Sequence, residues 1–193
     1  MRPVLESVEL PSDAVEVGSI VDAWGIKGWL RIQPHSAFPE ALFSSRRWFL
    51  QPSERGGRAF DGTVCLSIKE ARAHSGAVVA AAQEIADRDA AQALKGARVF
   101  VPRSEFPVVG PDEYYWVDLL GLDVVNREGV ALGKVRDLLS TGPQTVLVIE
   151  QPPLVEAGAK EKVRERMIPF VAAFVDKVDL AGRRIVVDWQ PDY

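Results

Sequence analysis

Apolar and polar positions alternate with a period of two through most of this chain, in short runs bounded by glycine and proline. EVGSIV (16–21) and GWLRIQ (28–33) alternate on either side of a turn marked by Gly25 and Gly28. RRWFLQP (46–52) reads as a strand stopped at Pro52. TVCLSIKEAR (63–72) and AVVAAAQEI (77–85) flank AHSG, a hairpin signal. The alanines of the second run are poor strand formers, so a helical reading of 79–85 stays open. One short helix is predicted at 88–95. Asp87 is its cap, Ala90, Ala91 and Leu94 are its apolar stripe, and Gly96 is its stop. ARVFV (97–101) then runs into Pro102.

The segment 102–113 holds three prolines and one glycine, which marks an interdomain linker. The predicted organisation is a first domain at 1–104, a linker at 105–112 and a second domain at 113–193. The second half returns to the strand pattern. YYWVDLLG, LDVVN, VALGKVRDLL (130–139), TVLVIE (145–150), MIPFV (167–171), DKVDL and RRIVVDW (183–189) follow in turn. Residues 151–165 mix Pro, Gly, Glu and Lys and read as a mobile loop. Many short strands with little helix predict an all-β chain of two small barrels.

Composition adds bounds and exclusions. At 193 residues the chain suits two domains of roughly 90 residues each. The start, MRPVLESVELPSD, has no apolar stretch of the secretory kind, and no run is long enough to span a membrane. The single cysteine, Cys65, cannot form an internal disulfide and reads as a buried thiol. These features predict a cytoplasmic protein. Nothing in the sequence demands a dimer, and a monomer is expected. The net charge of −4 is unevenly distributed: residues 1–111 carry 13 basic and 13 acidic side chains, and residues 112–193 carry 10 and 14. Within 23–60, Lys27, Arg31, Arg46, Arg47, Arg55 and Arg58 face only Glu40 and Glu54. That basic stretch could meet phosphates and the acidic second half a basic protein; ordinary solvated surfaces would look the same.

The sequence offers no catalytic set. His35 and His74 sit apart in polar turns without carboxylate or thiol at ligand spacing. GVALGKV (129–135) has three residues between its glycines and Val135 after Lys134, so it fails the phosphate-loop pattern. Asp176 and Asp179 read as turn charges. No dinucleotide fingerprint or nucleophile elbow occurs. The expectation is a binding protein with no enzymatic activity, cofactor or metal.

Three segments carry a resemblance: VGSIVDAWGIKGWLRIQPHS (17–36), EYYWVDLLGLDVVNREGVALGKVRDLLSTGPQTVLVIE (113–150) and MIPFVAAFVDKVDLAGRRIVVDW (167–189). In this order they resemble the RimM family of ribosome maturation factors, over nearly the whole chain. The resemblance implies a translation-factor-like barrel followed by a barrel of the type named for the photosynthetic reaction centre (PRC). It implies a non-enzymatic assembly factor for the small-subunit head and for processing of 16S rRNA. Its implied partners are the immature small subunit with its rRNA and the nineteenth small-subunit ribosomal protein. The alternative is a PRC-barrel adaptor unrelated to the ribosome, against which 17–36 argues. Many relatives have His where this chain has Trp24, and an acid where it has Trp29.

The candidate residues follow. Trp24, Lys27, Trp29 and Arg31 are candidates for rRNA contact: Trp29 and Arg31 share a face of an alternating strand, and an indole can stack on an unpaired base. Core packing of Trp29 is the competing reading. Tyr114, Tyr115 and Trp116 stand at the entrance of the second domain. On a strand, Tyr114 and Trp116 would share one face, leaving at least one ring for a seam or a partner. The resemblance implicates the aromatic pair in the ribosomal-protein contact. Gly121, Gly129, Gly133, Gly142 and Gly182 read as turn or bulge positions, and Pro169 as a strand start or edge.

Overall fold

Two long, bulged strands organise the first half of the chain. The computed structural model describes residues 3–35, 39–55, 59–152 and 163–193. Most of the 151–165 loop and Arg58 therefore lie outside the described residues. The chain divides into two units, Met1–Val108 and Val109–Tyr193. The described residues of the first form β1 (Glu6–Ser7), β2 (Ala14–Trp24), β3 (Trp29–Pro34), β4 (Arg47–Gln51), β5 (Val64–His74), β6 (Ala77–Ala82) and β7 (Arg98–Pro102). They pair in the order β1-β5-β4-β7-β2-β3-β6, and β6 pairs back onto β5. That last pairing closes a ring of six strands, with β1 added outside it. Closure removes the free sheet edges of those six.

Alternation explains the core. Leu30 and Ile32 of β3 point inward and are fully buried, while Arg31 and Gln33 between and beyond them are exposed. Trp48, Leu50, Leu66, Val78 and Val99 join them from neighbouring strands. The alanine run 77–82 is strand and not helix. Ala80 and Ala82 are buried in the core and Ala77, Val78 and Ala80 sit in a continuous ladder with β5; tertiary packing overrides the weak strand preference of alanine. Cys65 is buried in a separate small cluster with Phe49 and Phe100, covered by Val8, Leu10 and Ala14.

The helix predicted at 88–95 is α2 (Arg88–Ala93); Asp87 Oδ1 accepts from Ala90 N at 2.8 Å, and Ala90, Ala91 and Leu94 are buried. The sequence reading missed an earlier helical turn, α1 (Glu40–Ser44), which follows Pro39 and buries Ala41 and Leu42. Five residues are too few to show a helical period.

In the second unit the described residues form α3 (Trp116–Leu119), β8 (Asp123–Asn126), β9 (Ala131–Ser140), β10 (Thr145–Glu150), β11 (Glu165–Pro169), β12 (Val175–Asp179) and β13 (Arg184–Val187). Their order is β11-β10-β9-β8-β13-β12, with β8 and β13 parallel and the other pairs antiparallel. The two edges, β11 and β12, are not paired with each other among the described residues. The sheet wraps a core of Leu119, Leu122, Leu132, Leu147, Ile168 and Ile185 without closing by hydrogen bonds. Pro169 ends edge strand β11, where its missing N–H costs little.

YYWVDLLG was expected as a strand and is not one. Tyr115 is extended, and Trp116–Leu119 forms one helical turn in which Leu120 N donates to Trp116 O at 3.1 Å. The turn aims Leu119 into the core, and Leu122 follows three residues on. Burying those two leucines, at roughly 1.5–3 kcal/mol each, outweighs the strand preference of the aromatics before them.

The structure leads to a prediction about the boundary. Val108 is fully exposed, and residues 110–113 are exposed with it. Limited proteolysis should therefore nick 108–113 first, within the region around the boundary, and leave two resistant fragments. First cleavage inside β8–β10 would contradict two separately cored units.

Candidate functional site

The β2–β3 hairpin places one candidate set. Trp24 and Trp29 are cross-strand partners at its end, with Gly25, Ile26, Lys27 and Gly28 forming the connection. Both glycines adopt the left-handed region, Gly25 at φ 70° and Gly28 at φ 76°. They serve different purposes. A Cβ at Gly25 would meet open space, whereas one at Gly28 would come within 2.7 Å of Asp87 N and 2.9 Å of Ala86 C and Ile85 O. The hairpin connection thus rests, at Gly28, directly on the backbone ahead of α2.

Trp29 is not a core residue. It lies half-buried on the outer face with Trp24 and exposed Arg31, as the shared face predicts. The two indole centroids are 5.6 Å apart and tilted by 56°. The structure adds two residues the sequence did not suggest. The Arg72 guanidinium carbon lies 4.9 Å from the Trp29 ring centre and 5.5 Å from that of Trp24. The His74 ring packs edge-on against Trp24 at 5.3 Å. Both come from the end of β5, some 45 residues from the tryptophans, so no local pattern could have joined them. Beneath this layer Val79 pairs with Arg31 on one side and Arg72 on the other, and it is fully buried although outside the main core. Lys27 is exposed at the connection, beside Ile26, which is 79% exposed.

The second unit separates its three aromatics. Tyr114 is half-buried and meets Phe170 edge-to-face at 6.2 Å. Together they line an open groove of about 560 Å³ that also includes Asp112, Val175, Asp176 and Lys177. Tyr115 is only 7% exposed, so it is not presented for contact in this conformation. Trp116 is half-buried against the second core. The expected sharing of one strand face by Tyr114 and Trp116 does not apply, because Trp116 begins α3. Asp176 in the groove is held by Arg127: Nε and Nη2 donate to its two oxygens at 2.7 and 2.9 Å. That hydrogen bonding holds the Asp176 carboxyl below its ordinary range and raises the guanidinium above its own.

The remaining chemical candidates have structural partners. His35 Nε2 sits 2.8 Å from Glu16 Oε1. Asp179 Oδ1 accepts from Gly182 N at 2.9 Å, closing the β12–β13 turn. Gly133 lies at a bulge in β9, where a Cβ would collide with Glu150 O. Among the described residues no group of three His, Cys, Asp or Glu could hold a metal. None of their helices is long and apolar enough to cross a membrane.

Two predictions follow from this geometry. Gly25→Ala should cost about 1 kcal/mol for left-handed backbone alone, and Gly28→Ala roughly 2–4 kcal/mol because backbone contacts add to it. Chemical denaturation of both variants measures the difference; equal losses would mean that Gly28 is not packed on residues 85–87. For Arg127 and Asp176 the sign is set by the lowered carboxyl. Its stabilisation is present above the unfolded value and fades as pH falls through the folded one. Arg127→Ala should melt below the parent at pH near 7, with the gap closing below about pH 4. A gap constant with pH would remove this pair from the pH dependence.

Comparison with known proteins places both units. Residues 15–106 match the RimM N-terminal domain and residues 116–193 the RimM PRC barrel domain. A ribosome maturation factor RimM from Paracidovorax citrulli is 67% identical over 192 residues, covering 99% of this chain and 98% of that one. The protein of the same name from Albidiferax ferrireducens is 61% identical with full coverage of both chains. A crystal structure of a 16S ribosomal RNA processing protein, RimM, from Pseudomonas aeruginosa is 31% identical. It covers 94% of this chain and all of its own, with a TM-score of 0.42.

Proposed function

This chain belongs to the RimM family of ribosome maturation factors, and from that premise we propose that it is a non-enzymatic assembly factor for the head of the small ribosomal subunit. It assists folding of 16S rRNA so that the precursor becomes a substrate for processing by other proteins. The observation that carries the reading is the full-length match, at 61–67% identity, to proteins named as ribosome maturation factors. An isolated PRC adaptor would need no first unit, yet residues 15–106 match the family's N-terminal domain.

Each unit has a surface suited to a different partner. The outer face of β2–β3, with Trp24, Lys27, Trp29 and Arg31, offers rings and cations to rRNA. The second unit, −4 in charge over residues 112–193, suits a basic ribosomal protein, the nineteenth of the small subunit. Charge of that kind speeds encounter, and a few aromatic anchors supply lasting affinity. Tyr114 is the best placed anchor, because it lines an open groove beside Phe170. Tyr115 supports the site from within the fold. The domain organisation proposed from the sequence, 1–104 and 113–193 about a linker at 105–112, would let each surface reach its own partner.

The two tyrosines should therefore separate in experiment. Tyr114→Ala should cost only about 1–2 kcal/mol of stability, leaving the chain folded, and weaken binding to the isolated ribosomal protein by about 30-fold, an anchor of roughly 2 kcal/mol. Tyr115→Ala should lower stability by about 3–5 kcal/mol, with binding lost only as folding fails. Melting and calorimetric binding on the same samples decide the matter. Full binding by a folded Tyr114→Ala would take the residue out of the interface. Failure of the parent chain to co-sediment with free small subunits would overturn the functional proposal itself.

A further inference from the structure

We propose that Arg72 and His74 complete, with Trp24 and Trp29, a stacking site for an unpaired RNA base, and that Lys27 and Arg31 engage the phosphates beside it. This rests on the reading that the β2–β3 face meets rRNA. It changes the composition of that site: half of its planar groups come from the second hairpin, β5–β6, which the family-like segment 17–36 does not include.

Start with what keeps the cluster in place. The two indoles pair across β2 and β3. Arg72 lies over both, and His74 abuts Trp24. Fully buried Val79 forms an apolar floor between Arg31 and Arg72. Gly28 seats the hairpin on the backbone at 85–87. A cluster held from below, from the side and by cation–π contacts is already ordered, so a ligand would not bear the entropy of ordering it.

Consider next what remains unused. The Arg72 side chain is 54% exposed while capping the rings, and the carboxylate of Glu70 beside it stands at 3.9 Å, beyond direct hydrogen-bond reach. The guanidinium thus lies against the indoles and still keeps about half of its side-chain surface open to solvent, where a ligand could reach it. Guanidinium planes and aromatic rings are the platforms on which proteins stack splayed-out RNA bases, and the same donors suit phosphate. Around the stack stand Lys27 and Arg31, both exposed. The face also carries Asp22 and Glu70; Asp22 Oδ1 accepts from Ala23 N at 2.9 Å. Cations thus outnumber carboxylates on it. A duplex buries its base faces between neighbours and cannot use such a platform, so the site selects single strands, loops or bulges. Stacking reads no base edge, so sequence preference should be slight.

The test uses the full chain and a labelled single-stranded RNA of about eight nucleotides, followed by fluorescence anisotropy at low salt. The same strand annealed to its complement is the control. The single strand should bind at least about tenfold tighter than the duplex, and Arg72→Ala should weaken it about tenfold. Arg72→Lys keeps the charge without the plane and should not restore binding; it also guards against a folding artefact in the alanine variant, as does a melt of each. Equal affinity for single strand and duplex, or unchanged binding by Arg72→Ala, overturns the proposal. So does full recovery by Arg72→Lys, which would reduce the site to charge. Co-sedimentation of the parent with free small subunits keeps the two readings apart. Sedimentation without single-strand binding removes the stacking site, gives the cluster to a protein contact or to the fold, and leaves the functional reading standing. Absence of sedimentation fails the functional reading whatever the oligonucleotide does.

Discussion

The pairing of β5 with both β4 and β6 is the constraint from which the first unit is built. Val64–Ser67 pairs with β4, and Ile68–His74 pairs with β6 with a shift of register between Ile68 and Glu70. Strand β2 does the same on the opposite side of the ring, following β7 with its first half and β3 with its second, with shifts near Gly18 and Asp22. Bulges let a strand bend and twist enough to turn such a corner. Gly18 shows how tight the corner is: a Cβ there would come within 2.7 Å of Gln33 O. Once both strands turn, the ring closes, the inward residues share one core, and the far ends of both hairpins carry outward side chains. The aromatic–cation cluster is a by-product of that closure, because only the ring brings the end of β5 against the end of β2.

The second unit solves the edge problem differently. Among the described residues its sheet leaves β11 and β12 unpaired with each other, and each edge carries a device that blunts it. Pro169 removes a donor from β11, and Arg136 pairs with Glu165 on that strand and with Glu150 on β10. On β12, Asp176 is tied back to Arg127 at the β8–β9 turn. Proline and charge on an edge discourage pairing with another chain. The groove beside Tyr114 lies at this second edge, between the segment that leads into α3 and the residues from Phe170 into β12, where no further strand pairs with β12 among the described residues.

How much of this was legible depended on the range of the interaction concerned. Most strands of both units could be read because one face of them is buried, and burial writes a period of two into the sequence; β1 (Glu6–Ser7), short and exposed on both residues, carried no such signal. Leu30, Ile32 and Arg31 are an example. The α2 cap was legible because Asp87 acts within three residues. The turn at Trp116–Leu119 was not: YYW pulls toward a strand, and the decisive burial of Leu119 and Leu122 depends on strands up to 70 residues away. The same limit hid Arg72 and His74. Each reads as an ordinary polar residue of a hairpin end, and their significance lies in rings contributed by another hairpin. Tyr115 and Tyr114 are adjacent and of one type, yet one is buried and the other lines a groove. Local sequence cannot separate them, since the difference is set by the backbone turn into α3.

Trp24 and Trp29 were singled out as departures, at positions where the resembled family often carries a histidine and an acid. In the sequence they look like two independent exceptions. In the structure they are one, because the two positions face each other across the β2–β3 ladder. Cross-strand partners are stabilising when matched in character, an oppositely charged or hydrogen-bonded pair in one case, two aromatics in another. A histidine opposite an acid and an indole opposite an indole are both matched. A mixed pair would set a carboxylate against a ring face, which its negative quadrupole disfavours. In this chain two indoles fill the pair, and together they offer π-surface to a cation, which Arg72 supplies from the neighbouring hairpin.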